Sequence, residues 1–261
     1  LNGKGEFFDM EMYEKDVIKF FKSIDMNAAK ILECDQKTPD FLLEDHETTL
    51  VELKVKRDTK ESLTEKESVF ADGNVFEHAE HIAYTGKIAN VVKSANKQLK
   101  AQKRATKSKF CFLFFIADGV SPSSQLKQLE MTLYGAKAVC QKGVVQAKYC
   151  YYFGESQFFR YRDILDGVFM GNAAKGTVAL FLNNLSVNYN DLLNSAFLEA
   201  FQQRVPVIDP TELERNGNIY MITDSVDRRD SQLVLQHLFS KYQIENGSIH
   251  EFVNNSFSAQ L

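Results

Sequence analysis

Apolar residues at Val17, Ile18, Phe20, Phe21 and Ile24, with charges between them, recur at helical spacing and predict a helix over residues 14–24. Three short strands are predicted next: AKILECD (29–35), PDFLLED (39–45) and TLVELKVKR (49–57). In the third, Val51, Leu53 and Val55 alternate with Glu52 and Lys54, so the two sets project to opposite faces. The polar stretch EDHETT between the second and third strands predicts a hairpin connection. Residues 58–80 are polar, with a turn signal at Asp72-Gly73-Asn74, and predict a loop or partly helical insertion. A second helix is expected over residues 84–107, with the stripe Ile88, Val92, Ala95 and Leu99. The apolar run KFCFLFFIAD then predicts a buried strand that ends at an Asp118-Gly119 turn.

The rest of the chain continues the alternation of helix and strand. Residues 123–139 predict a helix. VVQAKYCYYF and QFFRYR flank Gly154-Glu155-Ser156 and predict a hairpin. TVALFLNN predicts a strand, residues 191–204 an amphipathic helix, GNIYMIT a strand and residues 230–243 a final helix. The tail after Asn246 is polar and is expected to be mobile. No repeat at a fixed period and no Pro/Gly-rich linker divides the chain. An α/β fold follows, with a mixed sheet flanked by helices. Residues 1–118 form its core. Residues 119–261 extend the same sheet or build a recognition or dimerisation region.

Composition adds little until charge is mapped. With 261 residues, 44% hydrophobic and 25% charged, the chain suits one large globular domain or a core with an extension. Its longest apolar run, residues 110–117, suits a strand rather than a membrane span. No basic-then-apolar leader opens the chain; it begins at Leu1, so an initiator methionine is expected to lie outside it or to have been trimmed. Cys34, Cys111, Cys140 and Cys150 show neither CxxC nor zinc spacing, which predicts reduced thiols and a cytoplasmic setting.

Net charge is −4, but residues 1–80 carry 11 Lys/Arg against 20 Asp/Glu, while residues 81–109 carry 8 Lys/Arg and no acid. In that basic segment Lys93, Lys97, Lys100, Arg104 and Lys107 step by 4, 3, 4 and 3 and share one helical face. Solvated faces usually mix signs, so an acid-free strip points to phosphate contact and a nucleic-acid partner.

The strongest chemical signal lies between Pro39 and Lys54. If the second and third strands pair, Asp40 approaches Glu52. Two adjacent carboxylates repel unless a cation lies between them, and oxygen ligands with open positions suit Mg²⁺ or Mn²⁺. Lys54, on the same face as Glu52, would orient a water and offset charge on a phosphate. A solvated strand face with an incidental proline is the plainer alternative.

Pro39-Asp40, eleven residues, then Glu52-Leu53-Lys54 resembles the PD-(D/E)XK, or restriction-endonuclease-like, nuclease superfamily. The element order over residues 14–118 also resembles that superfamily's αβββαβ core. The resemblance implies Asp40 and Glu52 as metal ligands, the Leu53 carbonyl completing the shell, and Lys54 as the catalytic lysine. It also implies an acid on the first helix, Glu14 before Glu11, and a polar residue on the helix after the third strand, met by Gln98. The expected activity is Mg²⁺- or Mn²⁺-dependent hydrolysis of phosphodiester bonds, in DNA rather than RNA, by an endonuclease. Two cuts in a duplex would call for a homodimer.

A catalytically silent nucleic-acid-binding or assembly module on the same fold is the main alternative, and a nucleotide-binding α/β domain the third. Other features weigh less. His78 and His81 are expected in a charged loop with no third metal ligand in sight. The Asp118-Gly119 pair is ordinary turn chemistry. The aromatics around Arg160 and Arg162 fit packing better than base stacking. Walker, GxGxxG and nucleophile-elbow motifs do not occur.

Overall fold

In the computed structural model, which describes residues 4–32, 38–223 and 225–258, the first helical stripe forms α1 (Lys4–Ser23). Its face of Tyr13, Val17 and Phe21 is buried. Then come β1 (Ala28–Lys30), β2 (Phe41–Leu43) and β3 (Thr49–Arg57). Residues 33–35 of the first predicted strand, Cys34 included, lie outside the described residues. Next are α2 (Lys60–Ala71), β4 (Phe76–Ile82), α3 (Gly86–Lys103) and β5 (Phe110–Asp118). The second half begins with α4 (Pro122–Tyr134), β6 (Lys137–Gln141), β7 (Lys148–Tyr151) and α5 (Gln157–Arg160). β8 (Gly167–Asn172), β9 (Thr177–Leu182), α6 (Tyr189–Leu193), α7 (Ala196–Gln202) and β10 (Val207–Ile208) follow. The chain closes with α8 (Pro210–Arg215), β11 (Ile219–Met221), α9 (Ser231–Tyr242), β12 (Gly247–His250) and β13 (Phe252–Ser258).

A seven-stranded mixed sheet, ordered β1-β2-β3-β5-β8-β9-β10, is the centre of the fold. β1, β2 and β3 are successively antiparallel, whereas β3, β5 and β8 run parallel. Parallel neighbours need crossovers, and α3 supplies the one from β3 to β5. Helices cover both faces. On one, Leu50, Leu113, Phe115 and Val168 pack with Ile88, Val92, Ala95 and Leu99 of α3. On the other, Val51, Leu53, Phe112, Phe114 and Phe169 pack with α1 and α7. The uninterrupted apolar run of β5 follows from burial on both faces. β8–β10 belong to this sheet, while β11-β7-β6-β12 form a second one.

Several sequence expectations are corrected. The insertion at residues 58–80 contains α2 and a full strand, β4. The tail after Asn246 forms β12, paired with β6, and β13, paired with β4. In β4 only the end residues Phe76 and Ile82 are buried, and the polar His78 and Glu80 stand between them on the same side, so hydrophobic periodicity carried little signal for the ribbon. The strand β8 was not anticipated, because GVFMGN is short and begins with glycine. Asp166 ties its start to β5 by accepting from the Cys111 amide at 2.8 Å.

The hairpin around residues 154–156 does not form. Ser156 instead caps α5, its Oγ accepting from the Phe159 amide at 3.0 Å. The helix predicted over residues 191–204 is split, because the Ser195 hydroxyl caps α7 through the Leu198 amide at 3.1 Å. The helix predicted over residues 123–139 stops at Gly135, and Lys137–Gln141 becomes β6.

Gly135 shows why that helix must stop. Its φ is +59°, and a Cβ there would stand 2.5 Å from the Glu155 carbonyl oxygen. Gly135→Ala is expected to lower stability by more than about 1 kcal/mol, read as a lower urea midpoint at unchanged m. An unchanged midpoint would contradict this close approach.

Candidate metal and nucleic-acid site

The pairing register decides the site. Phe41 lies opposite Val51 and Leu42 opposite Leu50, so one step further places Asp40 beside Glu52. The β2 ladder ends at Phe41, and the Asp40 side chain takes over: its Oδ2 accepts from the Leu53 amide at 2.6 Å. In a strand the N–H and C=O of one residue point to the same side, so the Leu53 carbonyl also faces Asp40. Leu53 itself packs into the α1-side core.

Glu52 and Lys54 project to the opposite face, beneath α3. This overturns the solvated-face alternative for Glu52, which is 0% exposed. One Glu52 oxygen, Oε1, is ion-paired with Lys54 Nζ. The other, Oε2, is buried and has no hydrogen-bond partner. Lys54 Nζ also donates to Gln98 Oε1 at 3.2 Å. Gln98 Nε2 donates in turn to the Thr38 carbonyl at 3.2 Å. Gln98 therefore holds the lysine with one end of its amide and the approach to Asp40 with the other.

The electrostatics follow from this burial. Loss of water, reinforced by the Asp40 charge and opposed by Lys54, pushes Glu52 up to about 8. Burial also raises Asp40, against the opposing pull of the Leu53 amide and Lys54. The charge of Glu14 adds to the upward push on Asp40.

Glu14, on α1, is ion-paired with Lys30 at the end of β1. Glu11 is exposed and held by Lys15 at 2.7 Å. Among the described residues, no three His, Cys, Asp or Glu side chains form a ready metal cage. His78 and His81 lie on β4, not in a loop, and face Glu80 at 3.4 Å and Glu251 at 3.3 Å. Asp118 accepts from the Tyr13 hydroxyl and from Arg57 Nε, the latter at 3.0 Å. Cys111 and Cys150 are buried free thiols, and burial pushes Cys111 up to about 12.

The basic strip is shorter on the helix than its spacing predicted. Lys93, Lys97 and Lys100 are exposed on α3 and span about 10 Å. Arg104 lies at its end, and Lys107 stands in the following turn at φ +53°. Both are exposed, so they extend the positive surface without continuing the helical face. Lys97 precedes Gln98, so the two side chains are about 100° apart around the axis. If this surface binds phosphates, replacing Lys97 and Lys100 with alanine should flatten the log K against log salt slope by about 2. An unchanged slope would remove α3 from the interface.

One residue of the site, Thr38, carried no sequence signal, because it acts through its carbonyl. No helix among the described residues is long and apolar enough to cross a membrane. No family model, curated protein or solved structure significantly matches the chain.

Proposed function

We propose that this chain is a metal-dependent nuclease with a restriction-endonuclease-like core, hydrolysing phosphodiester bonds in nucleic acid, DNA before RNA. The observation that carries the reading is Glu52, fully buried beside Asp40 with an unpartnered oxygen. Burying an ionised carboxylate next to another is unfavourable unless a cation compensates both. The donor set fits a hard divalent ion: Asp40 and Glu52 carboxylates with the Leu53 carbonyl on the same side, leaving positions for water and substrate. Bound there, Mg²⁺ or Mn²⁺ would supply a Lewis acid for a phosphate oxygen and lower the pKa of a water.

The chain's own groups divide the remaining work. Lys54, steadied by Gln98, orients the attacking water and offsets the charge that builds on the phosphorus-bound oxygens. The Leu53 amide fixes Asp40. Lys93, Lys97 and Lys100, with Arg104 and Lys107 beyond them, hold flanking phosphates. The αβββαβ order of α1, β1–β3, α3 and β5 supports the same reading, with α2 and β4 as an insertion. A homodimer would bring two such sites to one duplex.

The test is cleavage of supercoiled plasmid, linear duplex and single strands with Mg²⁺, Mn²⁺ or EDTA. Metal-dependent cleavage lost in Asp40→Asn is the expected result. Cleavage that persists in EDTA or in Asp40→Asn would reject the site. Tight binding without cleavage under any metal would favour the silent binding module.

A further inference from the structure

A cavity of about 650 Å³ opens between α1 and the sheet, on the face opposite Glu52 and Lys54. The pairing register explains it. Leu53, Phe114, Phe169 and Leu180 stand side by side across β3, β5, β8 and β9 and fill the space under α1. One row further, Val55, Ile116, Gly171 and Val178 stand side by side. The glycine in that row has no side chain to meet α1, so a hollow is left above it. No clash demands a glycine here: a Cβ would stand 3.4 Å from Ile116 and 3.5 Å from Phe114, which is ordinary contact, and its φ lies outside the left-handed region.

The wall and the mouth differ in chemistry. Val17 and Phe20 of α1, with Phe114 and Ile116 of β5, form an apolar wall, and the Phe20 and Phe114 rings meet edge to face at 5.4 Å. The next row is polar. Arg57 ends β3 and Asp118 ends β5, directly opposite each other. Arg57 Nε donates to Asp118 Oδ2 at 3.0 Å, and Arg57 Nη2 donates to the Tyr13 hydroxyl at 2.7 Å. The Tyr13 hydroxyl donates in turn to Asp118. Both charged side chains still reach the opening, at 38% and 34% exposed.

Three observations select the occupant. The cavity lies outside the carboxyl ends of the parallel strands β3, β5 and β8, where open α/β sheets take ligands. Its volume falls in the range of small-molecule sites. Among the described residues its mouth sets Arg57 and Lys19 against Asp118 and Asp16, so the charges balance and do not favour an anion. What the rim presents instead is a donor beside an acceptor.

We propose that this cavity binds a neutral small molecule with a flat aromatic body and a lactam-like edge, an acceptor beside a donor. The body lies against Phe20, Phe114 and Ile116, where burial of apolar surface supplies most of the affinity. At the rim the ligand carbonyl accepts from the Arg57 guanidinium, and the ligand N–H donates to the Asp118 carboxylate. The proposal is independent of the Asp40–Glu52 reading, because the two sites share no side chain.

The experiment titrates three probes against the full chain by saturation-transfer NMR. Quinazolinone has the lactam edge, quinoline has the same fused-ring body with an acceptor only, and naphthoate carries a negative charge. Quinazolinone should bind with a Kd of about 1 mM or tighter, the range for a fragment of its size. Quinoline and naphthoate should bind about tenfold more weakly, the worth of one or two rim hydrogen bonds. Gly171→Leu grows into the hollow and should abolish quinazolinone binding. Val178→Phe fills the cavity from the neighbouring strand and should do the same, which keeps the test decisive if Gly171→Leu folds poorly by circular dichroism.

Quinoline or naphthoate binding as tightly as quinazolinone would overturn the proposal. So would undiminished quinazolinone binding in either folded variant, or no saturable binding to wild type below about 10 mM. None of these readouts involves metal or cleavage, so the nuclease reading stands or falls separately.

Discussion

Lys54→Ala is expected to lower metal-dependent cleavage by about 100- to 10,000-fold, the range for loss of a positioned proton-handling or charge-stabilising group. The reason lies in its surroundings. Lys54 Nζ is held by Glu52 on one side and by Gln98 on the other, so its position is determined before substrate arrives. Duplex binding at low salt should change little, because on the proposed reading the exposed cations of α3 carry that term. Gln98→Ala should have a smaller effect in the same direction, since the lysine keeps its ion pair with Glu52. Turnover and binding measured separately on the same preparations check the split. A Lys54→Ala protein that is folded and cuts at the wild-type rate would remove the lysine from the chemistry.

Glu52→Gln should stabilise the metal-free protein at pH 8 and abolish cleavage. The sign follows from the direction of the shift. An ordinary glutamate loses its proton near 4.5, whereas folded Glu52 holds its own up to about 8. Between these values the folded state binds more protons than the unfolded state, so stability falls as pH rises. The contribution is complete below about 4.5 and is lost through about 8. At about 1.4 kcal/mol per pKa unit, the difference comes to roughly 3–5 kcal/mol. Asp40 shifts in the same direction and adds to it.

Urea midpoints from pH 5 to pH 9 without metal would show the slope in wild type and a flatter line in Glu52→Gln. Identical slopes would mean that Glu52 is ionised in the fold. Mg²⁺ should raise the wild-type midpoint more at pH 8 than at pH 6, because the carboxylate must give up its proton to bind the ion.

The chain's local patterns were legible wherever burial imposes a period. Alternation over Thr49–Arg57 marked β3. The stripe Ile88, Val92, Ala95 and Leu99 marked α3, and the unbroken run at Phe110–Asp118 marked the twice-covered β5. Asp40, Glu52, Lys54 and Gln98 were legible as candidates because their spacing maps onto those elements. Period failed where polar residues interrupt the buried side of a strand: β4 buries Phe76 and Ile82 but sets His78 and Glu80 between them, and its partner β13 is largely exposed. It failed again at Ser156 and Ser195, where a hydroxyl captures a backbone amide and starts a new helix within a stretch read as one element or as a turn.

By itself, the sequence determined which residues lie on β3, which helix is basic and that two acids and a lysine stand close to one another along the chain. Only the tertiary structure decided that Glu52 is buried rather than solvated, that Gln98 joins Lys54 to the Thr38 carbonyl, and that Glu14 is ion-paired with Lys30. The physical reason is the same in each case. A carboxylate's chemistry is set by how much water and which charges surround it, and those neighbours come from α1, β1 and α3, up to forty-four residues away from Lys54 in the case of Gln98.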